Sequence, residues 1–223
     1  MGLLVALTVY MLWLGHLIYI LTSVDVNPLS PWFYLHILVQ GYFYTGLFIT
    51  GHDAMHGTVT GNRRINDLVG WISTLSFAFM SYDRLRKNHY LHHRFPGTEK
   101  DPDFNTRSNN FFIWWFRFMV RYTTWWQLLL MAVTFNILKI WFNEWVLVFF
   151  WIIPAFLGTF QLFFFGTYLP HKRPHEEHMG IHKARTQKKN HVWAMLSCYF
   201  FGYHLEHHEK PTVPWWKLYT VKN

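Results

Sequence analysis

Residues 88–104 read "NHYLHHRFPGTEKDPDF": His89, His92 and His93 at offsets i, i+3 and i+4, with Glu99, Asp101 and Asp103 close behind. On a helix those offsets place imidazoles on one face, one turn apart. The offsets return in "HLEHH", residues 204–208, and "HDAMH", residues 52–56, spaces His52 and His56 four apart. Three clusters at such spacing point to groups that converge on metal. Whether they can converge depends on how the chain runs between them.

The intervening chain is apolar. Of the 223 residues 52% are hydrophobic and 21% aromatic, and only 14% are charged, against about 25% charged in a soluble domain. Residues 3–22 and 32–51 are long enough to cross a bilayer, which takes ~20 apolar residues. So are 123–142 and 145–169, separated by a tight turn at Asn143-Glu144. Residues 66–82 are apolar but short. Residues 111–122, "FFIWWFRFMVRY", set Arg117 and Arg121 four apart among aromatics, which suits a helix lying in the membrane interface. The first run lacks a basic leader, and the following "SVDVNPLSP" has no small-residue cleavage site, so it reads as a retained helix. The expected fold is all-α: one membrane-embedded domain over residues 1–223, with four transmembrane helices plus re-entrant or interfacial helices at 66–82 and 111–122.

Parity then constrains the histidines. If "HDAMH" and "HYLHH" share a face, the single short stretch between them must go in and return. Two spans separate "HYLHH" from "HLEHH", so all three clusters can lie on one side. The net charge is +8, yet no Lys or Arg precedes Arg63, and basic residues gather between and after the apolar blocks. That is the pattern of a cytoplasmic membrane face, not of a nucleic-acid-binding domain, so no nucleic-acid partner is expected. The metal site is expected to face the cytoplasm. The lone cysteine, Cys198, excludes an intramolecular disulfide and reads as a small buried apolar residue.

His52, His56, His89, His92, His93, His204, His207 and His208, with His171 at the end of the last span, make nine candidate ligands. One tetrahedral ion needs four, so nine fits two ions with four or five nitrogens each and positions left open. Imidazole suits iron, copper and zinc alike. Neutral imidazoles around two divalent ions leave about four positive charges to balance. Asp53, Asp101, Asp103 and Glu206 lie in or beside the clusters and are expected to accept Nδ1–H bonds that orient the rings.

The remaining histidines read differently. His16 and His36, inside the first two spans, suit a buried hydrogen-bonded pair. His175, His178 and His182 lie in a basic loop and suit a solvated face; His175 and His191 stay open as further ligands. "HEEHM", residues 175–179, carries Met179 where a zinc protease motif needs its second histidine.

In order and spacing, "HDAMHG", "NHYLHHRFPGTEKDPDF", "FGTYLPH" and "FGYHLEHHEKPTVPWW" resemble the motifs of bacterial-type beta-carotene ketolases, members of the membrane fatty-acid desaturase and hydroxylase superfamily. The likeness runs from about residue 45 to 216. It departs at Glu209 and Lys210, where the family more often has an apolar residue, at Leu218-Tyr219 in place of Leu-Pro, and in the His-rich loop 172–191. The resemblance implies a non-haem di-iron enzyme in the bacterial cytoplasmic membrane or its equivalent. It implies that dioxygen and external electrons place a keto group at C4 of a beta-ionone ring of β-carotene, giving echinenone or canthaxanthin by two hydroxylations and a dehydration. The eight box histidines and His171 fall on its metal ligands. With no dinucleotide fingerprint or haem motif, electrons must come from a separate donor such as an acidic ferredoxin. The partners are thus a carotenoid, possibly in hydroxylated form, a ferredoxin-like donor and membrane lipid. A carotenoid 3-hydroxylase or an acyl-lipid desaturase shares the boxes. A metal-ion transporter would place ligands near mid-span rather than at span ends.

Overall fold

The computed structural model describes residues 1–222, which form helices and connecting turns with no strand among the described residues. Helix α1 (Gly2–Ser23) leads through the turn at Asn27, whose side chain accepts from Leu29 N, into α2 (Pro31–Met55). Pro31 opens α2, where its missing N–H costs nothing. The two helices are joined inside by polar groups: His16 Nε2 lies 3.2 Å from His36 Nδ1, and His16 Nδ1 lies 2.6 Å from Gln40 Oε1. The expected His16–His36 pair is therefore present, half-buried rather than buried.

Helix α3 (Arg63–Ala78) is capped by Asn62, which accepts from Arg64 N and Ile65 N, and it ends where Phe79 turns left-handed. At 16 residues it is about 24 Å long, short of a ~30 Å hydrocarbon core. Helix α4 (Tyr82–Arg94) returns antiparallel to it, with Arg86 paired to Asp67 and the Tyr82 ring lying where a Cβ on Gly70 would stand. The apolar stretch expected to be re-entrant is thus the first arm of a hairpin. Its second arm is the polar helix that carries His89, His92 and His93 back to the end of α2.

Helix α5 (Phe111–Tyr122) keeps the expected interfacial boundaries. The expected span 123–142 forms as one helix, but a shorter one. Thr123 is extended, Thr124 caps a new helix by accepting from Gln127 N, and α6 covers only Trp125–Leu138. Two adjacent β-branched hydroxyl residues favour an N-terminus over helix continuation. At 14 residues, α6 is about 21 Å long.

A continuous helix α7 (Glu144–His171) follows, capped by Asn143. It contains two wider π turns, Val148–Ile152 and Phe163–Tyr168, each ending two residues before a proline, Pro154 or Pro170. Proline lacks an N–H and clashes with the carbonyl of the preceding turn, and a π turn relieves that conflict. Helices α8 (His191–Cys198) and α9 (His204–Glu209) are short, joined by a bend in which Tyr199 and Phe200 have positive φ. Cys198 is buried, as expected.

Two of these helices, Gly2–Ser23 and Glu144–His171, are long and apolar enough to cross a membrane. Helix α2 has the length but buries Gln40, Thr45, Thr50, His52 and Asp53. Those groups hold the bundle together: Thr45 Oγ1 donates to Gln161 Oε1 at 2.6 Å, and Gln161 Nε2 donates to Ser197 O at 2.6 Å, tying α2 to α7 and α7 to α8. The result is a frame in which the ends of α2, α4 and α7 and the whole of α9 meet.

Candidate metal centre

All nine histidines meet at that junction, in two groups. His52, His56, His89, His93 and His207 form one; His92, His171, His204 and His208 form the other. Within each group one ring nitrogen per residue lies within 4.8 Å of all the rest. The division follows from helical geometry. Positions i and i+4 differ by about 40° around a helix, whereas i+3 is turned about 60° the other way. In α4 the i,i+4 pair His89 and His93 serves the first group and His92 the second. In α9 the pair His204 and His208 serves the second group and His207 the first. Each triple therefore bridges both groups.

The close contacts run between Nε2 atoms. In the first group His207 lies 3.1 Å from His52 and 3.0 Å from His93, and His56 lies 2.7 Å from His89. In the second group His208 lies 3.1 Å from His92 and 3.2 Å from His204. An imidazole nitrogen carries either one hydrogen or one lone pair, so hydrogen bonding satisfies neither hub fully. The Nε2 atom of His171 is buried with no partner. Two nitrogens bound at right angles to one ion, each ~2.1 Å away, lie about 3.0 Å apart. The donor set thus fits two metal ions, five nitrogens to one and four to the other.

Most of the rings are prepared for this; at His92 burial is outweighed by the Asp101 carboxylate, which holds the ring above the usual histidine range. Burial, helped by the neighbouring imidazoles His56 and His92, holds His93 down to about 2, and burial likewise keeps His89 well below the usual histidine range. A neutral imidazole offers its lone pair without proton competition. Phe201 stands edge-on to His52 at 4.8 Å and to His204 at 5.3 Å, fixing both rings.

The four carboxylates play unequal parts. Asp101, fully buried, accepts from His92 Nδ1 at 3.0 Å and also takes the backbone N–H groups of Gly97 and Asp103. It behaves as expected. Asp53 comes only to 3.6 Å of His52 Nδ1; its other oxygen accepts from Trp215 N at 3.0 Å and anchors the C-terminal turn Trp215–Thr220 under the site. Asp103 bonds no ring: its carboxylate accepts from the Tyr122 hydroxyl, and its carbonyl from Trp114 Nε1. Glu206 is buried with one oxygen unpaired and bonds no ring either. For Asp53, Asp103 and Glu206 the expected Nδ1–H bond is absent: Trp215 N takes an oxygen of the first and leaves His52 Nδ1 without a partner, and α5 captures the second. His171 has its own orienting acceptor, Lys183 O, at 2.9 Å from Nδ1.

Neither open histidine joins a group. His175 Nε2 meets His171 O at 3.0 Å, and His191 Nδ1 meets the Tyr203 hydroxyl at 2.7 Å. Tyr122 and Phe201 were invisible as site residues in the sequence, where they read as ordinary aromatics. One wall of the centre opens on a small chamber of about 70 Å³ lined by His52, His89, His92, His204 and Asp103 at one end and mostly by apolar side chains such as Phe48 and Phe77 elsewhere.

A family model described as fatty acid desaturase matches residues 29–126 and 119–223. The beta-carotene ketolase of Paracoccus sp. (strain N81106 / MBIC 01143) is 40% identical over 176 residues, covering 78% of this chain and 72% of that protein. The zeaxanthin 4-ketolase of Chlamydomonas reinhardtii is 40% identical over 186 residues, covering 79% of this chain but only 41% of that protein. The dihydrorhizobitoxine desaturase of Bradyrhizobium elkanii is 27% identical over 245 residues, covering 86% of this chain and 68% of that protein. No solved structure matches.

Proposed function

The chain belongs to the fatty acid desaturase family and, within it, to the group of beta-carotene ketolases, and from that premise we propose that it is a di-iron, dioxygen-dependent carotenoid 4-ketolase. The observation that carries this reading is the division of nine histidines, six of them buried and three half-buried, into groups of five and four beside a mostly apolar chamber. Two iron ions held there supply the activation of dioxygen that an unreactive allylic C–H bond requires.

The chain's own part is holding, excluding and orienting. His52, His56, His89, His93 and His207 hold one ion; His92, His171, His204 and His208 hold the other. Two divalent ions bring four positive charges, and Asp53, Asp101, Asp103 and Glu206 supply four negative ones around them. Burying that many charges near lipid is tolerable only in such balance. Asp101 sets the tautomer and angle of His92, since a ligand that gives Nδ1–H to a carboxylate presents Nε2 to metal. The mostly apolar chamber excludes water and leaves a hydrocarbon ring facing the histidines. The reaction is hydroxylation at C4 of the beta-ionone ring, repeated on the same carbon, and the geminal diol then loses water to the ketone. No side chain serves as nucleophile or base.

The protein sits in a membrane, crossed by α1, α2, α7 and the stretch 123–143, of which α6 is only the helical part at about 21 Å, with the histidines at the cytoplasmic side. Exposed Leu, Ile, Phe and Trp side chains on those four segments support this placement, as does the basic loop 172–190 beside the metal centre. That loop would suit an acidic, ferredoxin-like electron donor.

Expression in cells that make β-carotene, with pigment and metal analysis of the purified protein, tests the reading. Two irons per chain and echinenone or canthaxanthin are expected. Exclusively 3-hydroxylated pigment, a desaturated acyl lipid, or metal uptake into vesicles with no pigment change would each replace it with another function.

A further inference from the structure

The chamber beside the histidines does not end within the bundle. Phe77, Met80, Phe118, Tyr122 and Thr159 line it and also line a second, larger cleft of about 380 Å³. The two are one slot. Its outer half runs between α6, through Leu128 and Ala132, and α7, through Ile152 and Ala155. No charged side chain lines this outer half. Helix α6 borders it without burying a single residue of its own, so it stands off the bundle as a wall rather than packing as a core element.

The level of the opening identifies what enters. Exposed Trp125 and Trp126 mark one end of α6, and exposed Trp141 and Trp145 mark the turn at its other end. Tryptophan gathers at the two membrane–water interfaces, so a mouth between Leu128 and Asn136 lies at hydrocarbon depth. A phospholipid anchored by its headgroup at the interface would have to bend sharply to send a chain in there. A long hydrocarbon with no headgroup can enter end-on. The outer half is lined mostly by apolar and aromatic groups, with Thr123, Gln127, Asn136 and Thr159 the uncharged polar exceptions, which suits a polyene.

We propose that this slot is a lateral substrate channel: one ring of a carotenoid passes between α6 and α7 to the histidines while the polyene and the other ring remain in the lipid. The proposal rests on the ketolase reading for the nature of the occupant, and its test is read separately from that function. One mouth and one metal centre admit one ring at a time, so a molecule with two rings must leave and re-enter to have both oxidised.

The test is a tryptophan in the wall. Ala132→Trp fills the mouth from an exposed position on α6, where no core contact is disturbed. Leu128→Trp does the same one turn away, and it replaces Ala132→Trp if that variant loses iron. Leu7→Trp, on the exposed face of α1 and away from the slot, is the control. Each protein is purified from β-carotene-containing membranes, and three quantities are read: iron per chain, pigment retained per chain, and β-carotene converted. With iron unchanged, the wall variants should retain and convert about tenfold less than wild type, in line with overpacking elsewhere, while Leu7→Trp matches wild type. Wall variants with full iron that retain and convert like wild type would overturn the channel. A wild type that retains pigment but forms no 4-ketone would defeat the ketolase reading, and the retention data would still decide the channel.

Discussion

Replacing Asp101 by asparagine keeps shape and removes one negative charge and one acceptor. Asp101 takes three N–H groups on its two oxygens: His92 Nδ1 at 3.0 and 3.1 Å, Gly97 N at 2.8 Å and Asp103 N at 2.9 Å. Asparagine has one oxygen and one NH2, so either orientation sets an N–H against a backbone N–H in a site with no water access. Leaving a buried donor unpaired costs roughly 1–3 kcal/mol. Loss of a ligand's orienting partner weakens metal binding by about 10–100-fold, or ~1.4–2.8 kcal/mol at 1.4 per tenfold, so the two figures agree. The effect should be confined, because His92 belongs to the four-histidine group and Asp101 touches no ring of the other. A chelator titration followed by metal analysis should show Asp101→Asn passing through a plateau at one iron per chain, at a chelator concentration where wild type still holds two. Loss of both irons together, or retention of both across the same range, would refute the assignment of Asp101 to one ion.

His171→Ala leaves three nitrogens in its group, whereas His52→Ala leaves four, so His171→Ala should release one iron at lower chelator than His52→Ala; the reverse order would disprove the division into four and five. Gly166→Ala would place a Cβ 2.5 Å from the Phe201 ring, forcing aside the side chain that backs His52 and His204. Thermal unfolding should show a loss of about 1–3 kcal/mol, and an unchanged melting point would show that Phe201 gives way freely. Histidines held below their unfolded value of about 6.5 bind protons only on unfolding. Stability of the metal-free protein is therefore full above that value and falls as pH drops below it, towards the value of about 2 for His93. A melting temperature in detergent that stays level from pH 7.5 to 5.5 would contradict this.

Much of the centre was legible in the histidine offsets alone. Imidazoles one turn apart face one way wherever the helix lies, so His89, His92, His93, His204, His207 and His208 could be grouped before any coordinates. Parity then required the stretch near residues 66–82 to turn back. The division of each triple between two groups was not legible, because it depends on how α9 docks across α4. The far end of α6 was missed because the sequence stays apolar through Ile140, Trp141 and Phe142, where the helix has already given way to turns after Leu138. The π turns of α7 arise from Pro154 and Pro170 in a helix that reads as uniformly apolar. Asp103 was assigned by proximity in sequence, yet Tyr122 across the loop claims its carboxylate.

Adjacent residues on one short helix, His92 and His93, answer to different ions, and so do His207 and His208. Two ions held there would therefore have their separation set by the fixed rise of two stiff backbones rather than by any flexible tether. Sliding α4 or α9 by one residue would uncouple both ions at once. Each ion would have its own ligands, but the distance between the two would be a property of the two helices together.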